Sequence, residues 1–232
     1  MIINKISIII PYYNEKNTIN LLLNKIQEFK KYPVEIIIIN DGSDDGSREF
    51  LEKLDKENIK IIHHNKNYGK GRAIRTGFDN ATGEIFLIQD ADLEYSPEDY
   101  KILLRPFEEV DADVVYGSRF IGGNGYVRLH YYYHYLANKI LTNMCNIFTN
   151  LNMTDMETGF KVFKKNAIKS IDLKENSFGI EPEITIKLAK QKFKFFEVGI
   201  SYRGRSYAEG KKITLKDAFI ALYCIFRYGI FK

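Results

Sequence analysis

Tryptophan is absent from this 232-residue chain, cysteine occurs twice and proline five times. Two cysteines, Cys145 and Cys224, leave no disulfide framework and no CxxC metal motif, and a reducing cytosol is the simple expectation. No run approaches the roughly 20 apolar residues that a membrane-spanning helix needs. The longest candidate, 218–231, is interrupted by Arg227. The opening "ISIIIP" is too short and too β-branched for a signal-peptide core, so neither a secreted nor an integral membrane protein is expected. Internal repeats and low-complexity tracts are missing too. The net charge is only +4, and no nucleic-acid partner is expected.

What is present is a normal globular composition, with 45% hydrophobic and 28% charged residues. The positive charge is concentrated late. From Ser201 to Lys232 there are seven Lys or Arg against two acids, on an otherwise nearly neutral body. Such a segment suits an anionic partner, a phosphate or an acidic membrane surface, or is simply a solvated face.

Apolar runs of strand length alternate with helical periodicity. "ISIII" (6–10), "EIIIIN" (35–40), "IKII" (59–62), "EIFLIQ" (84–89) and "DVVYGS" (113–118) read as strands. Between them Ile19, Leu22, Leu23, Ile26 and Phe29, then Phe50, Leu51 and Leu54, then Ala73, Ile74, Gly77 and Phe78 recur at helical spacing. "SPED" (96–99) predicts a helix start, with Ser96 as cap and Pro97 in the first turn. The second half predicts an aromatic-rich helix (128–148), a polar loop into a short strand (153–163), a helix (182–190), a strand (193–202) and a last helix from near Thr214. Strands apolar on both faces, alternating with helices, predict a mostly parallel α/β sheet. The last helix carries Phe219, Ile220, Leu222, Tyr223, Phe226 and Ile230 with basic flanks. It is read as an amphipathic extension (213–232) on a catalytic domain (1–212), lying on a membrane interface or packed on the domain or a partner.

Parallel sheets bind ligands beyond the carboxyl ends of their strands. The first such end, "PYYNE", offers Pro11, Tyr13, Asn14 and Glu15; the second, "INDGSDDGS", offers Asp41. Alone, each reads mostly as a turn. The segment "FLIQDADLEYSPEDY" is more telling. Asp90 and Asp92 flank Ala91 where a buried strand surfaces, and i and i+2 of an extended chain point the same way. Adjacent carboxylates repel unless a cation lies between them, and hard oxygen ligands suit Mg²⁺ or Mn²⁺ bridged to phosphates. Glu94 is a candidate third ligand. "NYGKGRAIRTG" (67–77) is glycine-rich and basic but lacks the full dinucleotide fingerprint, which argues against a Rossmann dehydrogenase. Lys70, Arg72 and Arg75 either hold diphosphate or form a solvated helix start. His63 and His64 lack metal-ligand spacing and read as structural or surface residues. The cluster Tyr131–Tyr133 with Tyr135 reads as helix packing, or as a surface offered to lipid.

Together these strand ends resemble the family 2 glycosyltransferases of GT-A fold, in particular the polyprenyl-phosphate (dolichol-phosphate) mannosyl- and glucosyltransferases. "SIIIPYYNE", "IIINDGSDDGS", "GKGRAIRTG", "QDADLEYSPED", "VVYGSRF", "TDMETGFKVF", "FGIEPEITIKLA" and "VGISYRGRSYAEGKKI" occur in the family's order and spacing across nearly the whole chain. The resemblance implies a metal-dependent, inverting transfer of a sugar from a UDP- or GDP-sugar to polyprenyl phosphate. It implies a protein held peripherally at the cytoplasmic membrane face, with a membrane-protein partner possible. Pro11, Tyr13, Glu15, Asp41, Lys70, Asp90 and Ala91 would bind the nucleotide sugar. Asp90, Asp92 and Glu94 would face Mg²⁺ or Mn²⁺, with Glu94 standing where these enzymes often carry Gln. Arg119, Arg205 and Lys211 would meet phosphate. Asp92, Arg119, Asp155 and Arg205 would carry the chemistry. If the acceptor were instead a sugar hydroxyl, Asp155 or Glu157 would be its base. The remaining alternatives are an idle nucleotide-sugar binding module, against which Asp90, Asp92 and Arg119 argue, and a nucleotidyltransferase, whose glycine-rich first loop is missing.

Overall fold

The computed structural model describes residues 2–54, 57–122, 131–205 and 215–230. In chain order it forms β1 (Ile6–Tyr12), α1 (Ile19–Glu28), β2 (Val34–Asn40), α2 (Ser47–Glu52), β3 (Ile59–His63), α3 (Lys70–Asn80) and β4 (Ile85–Ile88). A 3-10 turn at Pro97–Asp99 leads into α4 (Tyr100–Glu109), followed by β5 (Val114–Ser118) and α5 (Tyr132–Thr149). The chain continues through β6 (Lys161–Lys164), α6 (Lys165–Lys169), α7 (Ile180–Lys190), β7 (Phe195–Gly199) and α8 (Leu215–Ile230).

The seven strands form one sheet in the order β3-β2-β1-β4-β6-β5-β7. Strands β1 to β4 pair in parallel, as do β5 and β7. Strand β6 is antiparallel to both its neighbours, β4 and β5. The mostly parallel α/β sheet read from the isoleucine runs is therefore present. The short α6 went unread, because "KNAIK" is too brief for periodicity to register.

Alternation within the strands explains those runs. Ile9, Ile37, Ile39, Phe86 and Ile88 face a core shared with α3, α5, α7 and α8. Ile8, Ile10, Ile36, Ile38 and Leu87 face the opposite core with α1 and α4. Each such side chain contributes about 1.5–3 kcal/mol on burial, so a polar residue on either face is costly. Ser96 caps the turn as expected, its hydroxyl accepting from the Glu98 N–H at 3.4 Å with Pro97 following.

Helix α8 lies on α5 and α7. It sends Ala221, Cys224, Ile225 and Tyr228 into the core. Its other side exposes Phe219 (70%) and Tyr223 (62%), while α5 exposes Tyr133 (81%) and Ile147 (78%). The two helices meet through Phe148 and Phe226, rings 5.6 Å apart. Among the described residues no helix is long and apolar enough to cross a membrane.

Candidate functional site

A cleft of about 670 Å³ opens over the carboxyl ends of β1, β2, β4 and β5. Of the expected nucleotide-sugar contacts, Pro11, Tyr13, Glu15, Asp41, Lys70, Asp90 and Ala91 all line it. Asp92, Glu94, Arg119 and Arg205 line it as well. Lys211 lies outside the described residues, and Arg72 and Arg75 are not part of the lining.

The acidic segment is held by its surroundings. Buried Gln89 donates from Nε2 to the Asp90 carbonyl at 2.9 Å and accepts from the Tyr100 hydroxyl at 2.8 Å. The Thr18 hydroxyl donates to the Ala91 carbonyl at 2.8 Å. The chain then turns sharply, with Leu93 at φ 61° and the Asp92 carboxylate accepting the Glu94 N–H at 3.1 Å. A non-glycine residue at that φ is strained, and such strain gathers at functional sites. Gly159 closes the approach from the side. A Cβ there would lie 2.4 Å from Asp90 Oδ2 and 2.8 Å from the Tyr95 ring, so only glycine fits without displacement.

Three carboxylates meet one guanidinium around this turn. Arg205 donates to Asp92 Oδ2 at 2.9 Å and to Glu15 Oε1 at 3.1 Å, and its Nε lies 3.4 Å from Glu94 Oε1. Glu94 also accepts the Tyr202 hydroxyl at 2.7 Å and the Arg205 N–H at 2.8 Å. Glu94, expected as a third metal ligand, thus ties the 202–205 segment to the strand end. Arg205, expected at the acceptor phosphate, stands as the cation among the carboxylates. Among the described residues no group of three or more His, Cys, Asp or Glu is arranged to hold a metal. The donor chemistry nonetheless fits one. Burial, with Asp90 and Glu94 adding repulsion, pushes the Asp92 carboxyl up to about 7 although Arg205 opposes this. An excess of anionic oxygen is what a hard divalent cation relieves, and Mg²⁺ typically takes one or two carboxylates plus substrate phosphates. Asp90 and Asp92 would hold it.

Lys70, at the start of α3, bonds Asp90 Oδ1 at 2.9 Å and reaches Glu181 Oε1 at 3.3 Å. Burial favours its neutral form, but the two carboxylates outweigh burial and keep the ammonium charged. Glu181 is also paired with Lys161, whose Nζ donates to the Thr158 carbonyl at 2.5 Å and sits 4.8 Å over the Tyr116 ring. Asp90, Lys70 and Glu181 therefore line the cleft as linked charge pairs, with Lys161 buried behind them. Lys161 and Glu181 were not singled out from the sequence. The available signal was a lysine opening the apolar strand "KVF", which can be buried only if paired.

Asp155 is fully buried and engaged. It accepts Arg119 Nε and a terminal guanidinium nitrogen at 2.7 Å each, the Arg119 N–H at 3.1 Å and Asn138 Nδ2 at 3.0 Å. Burial would raise its carboxyl, but Arg119 outweighs that and holds it below the ordinary range. Asp155 acts by fixing Arg119, whose guanidinium also lies 5.3 Å over the Tyr202 ring. Asp41 is likewise engaged. It accepts the Gly69 N–H at 2.7 Å and the Tyr68 N–H at 3.1 Å, and pairs with His64 Nδ1 at 2.6 Å. His64 is structural, as read from the sequence.

A model of the family described as "Glycosyl transferase family 2" matches residues 7–172. The dolichol-phosphate mannosyltransferase of Pyrococcus furiosus is 31% identical over 215 residues, covering 90% of this chain and 60% of that protein. The undecaprenyl-phosphate 4-deoxy-4-formamido-L-arabinose transferase of Proteus mirabilis is 28% identical over 221 residues, covering 92% of this chain and 64% of that protein. The chain thus spans less than two thirds of the length of both relatives. Among solved structures, glucosyl-3-phosphoglycerate synthase of Mycobacterium tuberculosis in complex with UDP superposes with a TM-score of 0.76 at 16% identity, over 97% of this chain and 80% of that one. The same enzyme with Mn²⁺, UDP and phosphoglyceric acid gives 0.73, over 99% and 80%, and the likeness is one of fold. With the family model covering most of the chain and the strand ends converging on one cleft, this protein belongs to glycosyl transferase family 2.

Proposed function

We propose that this protein is an inverting, metal-dependent hexosyltransferase that moves a sugar from a nucleotide diphosphate donor to a polyprenyl phosphate. The carrying observation is the placement of Arg119 and Arg205 with Asp90 and Asp92 in one cleft, with Asp155 engaged by Arg119 and Asn138. A bound divalent cation would take up charge developing on the diphosphate leaving group. The protein's part is to hold that diphosphate and to aim the acceptor. A phosphate acceptor is already ionised near neutrality and needs positioning, which an arginine fork supplies. Both relatives carry a polyprenyl phosphate in their names, dolichol-phosphate and undecaprenyl-phosphate.

Pro11 and Tyr13 would flank the base of UDP or GDP. Asp41 would support that pocket by fixing the 68–69 backbone. Arg119, and Arg205 once drawn from the carboxylates, would meet the acceptor phosphate, with Lys211 as a further contact. The apolar side chains exposed on α5 and α8 support a peripheral position at the cytoplasmic face of a membrane, where a membrane-protein partner could also dock.

The test is incubation with a panel of UDP- and GDP-sugars, Mg²⁺ or Mn²⁺, and a short-chain polyprenyl phosphate. Lipid-linked sugar is the expected product. Transfer only to sugar hydroxyls would overturn the lipid acceptor in favour of glycan or polysaccharide assembly. That second reading needs a base, and with Asp155 engaged only Glu157 remains of the two candidates.

A further inference from the structure

Glu157 is a cleft residue that sugar transfer to a phosphate, as derived above, leaves unused. It lies in the loop between α5 and β6, and its side chain lines the cleft with Gly159 and Glu181. Its Oε1 is enclosed, and among the described residues it is the single buried side-chain nitrogen or oxygen without a hydrogen-bond partner. Leaving such an atom unpaired costs on the order of 1–3 kcal/mol, so the orphan calls for an explanation.

The neighbouring cations do not provide a partner. Lys161 is held by Glu181 and the Thr158 carbonyl, Lys70 by Asp90 and Glu181, and Arg119 by Asp155. Each already has its carboxylate. Glu157 faces Glu181 from α7, Lys161 from β6, Arg119 from the end of β5, Cys145 from α5 and Asp155 in its own loop. Burial, with Glu181 adding repulsion, pushes its carboxyl up to about 7. Near neutrality a carboxyl so placed both donates and accepts a hydrogen bond.

Its position decides what it meets. Pro11 and Tyr13 mark the nucleotide end of the cleft, and Asp90 and Asp92 its diphosphate. Gly159, two residues from Glu157, abuts Asp90 Oδ2. In a nucleotide diphosphate sugar, the sugar follows the diphosphate. We propose that Glu157 determines donor specificity by hydrogen bonding, through its carboxyl, to one hydroxyl of the transferred sugar. This rests on the nucleotide-sugar reading given above. A site built to bond a hydroxyl rejects the analogue lacking it, because its own polar group is then left unpaired.

The experiment takes the donor found active among UDP-glucose, UDP-N-acetylglucosamine and GDP-mannose, and its monodeoxy analogues. These are assayed on wild type, Glu157→Gln and Glu157→Ala. In wild type one deoxy position is expected to lower kcat/KM by about a hundredfold or more, and in Glu157→Ala that position no longer matters. Glu157→Gln, a neutral donor and acceptor, keeps the discrimination. UDP or GDP binding by calorimetry, unchanged in both variants, shows the nucleotide end intact.

Equal sensitivity to every deoxy position in wild type and Glu157→Ala would overturn the inference. So would activity that rises through pH 7 and collapses in Glu157→Gln, the signature of a general base. If wild type turns over no nucleotide sugar at all, the functional reading itself falls, and this inference with it.

Discussion

Single side chains in the cleft are defined by their partners, and the partners predict what substitution does. Asp92→Ala is expected to cut transfer by at least about a hundredfold, the scale lost with a transition-state charge stabiliser, while leaving the melting temperature near wild type. Arg205 gives a sharper expectation. Its guanidinium lies where a metal's charge would be felt, so a divalent ion entering the cleft must compete with it. Arg205→Gln should therefore bind Mn²⁺ severalfold more tightly in the absence of donor, read by electron paramagnetic resonance, though it loses acceptor use. Unchanged or weaker Mn²⁺ binding would remove Arg205 from the metal's neighbourhood. Asp155→Asn leaves the Arg119 guanidinium buried without its carboxylate, a loss of about 3–5 kcal/mol. For a chain of this length the melting temperature should fall by roughly 10 °C. Because the folded carboxyl lies below its unfolded value, near 4, its contribution is fully present above that pH and lost as pH falls through the folded value. Acid unfolding of Asp155→Asn should lack this component.

At the scale of elements, the sequence was legible where a strand or helix buries a face. Runs such as "EIIIIN" allow no other reading, because both sides of β2 are covered. The Asp90–Asp92 pair was legible for the same reason, since acids at the end of such a run are conspicuous. What the sequence withheld were the side-chain partners. Nothing local in "TDMETG" says that Asp155 is taken by Arg119, 36 residues earlier. Nothing in "SYRGR" says that Arg205 reaches Glu15, 190 residues away. Those pairings depend on β6 lying between β4 and β5, and on β7 pairing with β5. The loop entering β6 can be tested directly. Gly159→Ala forces a methyl group onto Asp90 and Tyr95. Donor affinity, measured by calorimetry, should fall by more than the modest loss of thermal stability would explain.

The whole molecule combines a polar cleft with an apolar exterior beside it. The exposed residues of α5 follow a helical stripe through Tyr133, Leu136, Ile140 and Ile147, and those of α8 through Phe219, Tyr223, Phe226 and Ile230. Tyr133 and Ala218 also line the cleft, so the stripes reach its mouth. If a membrane carries the acceptor, this side should face it. Vesicles containing anionic lipid are expected to sediment with the protein, and a Phe219→Ser, Tyr223→Ser pair should weaken that binding without altering transfer to a water-soluble short-chain acceptor.

Strand β6 has a further consequence, for the order in which the protein is made. It separates β4 from β5, yet it is encoded at residues 161–164, well after both. A nascent chain can pair β1 to β4 early, but the outer edge of β4 then stays unpaired until β6 has left the ribosome. An open apolar edge recruits other chains, and long-range pairing slows folding. Chaperone dependence during synthesis should accordingly be concentrated in the interval between emergence of β4 and of β6.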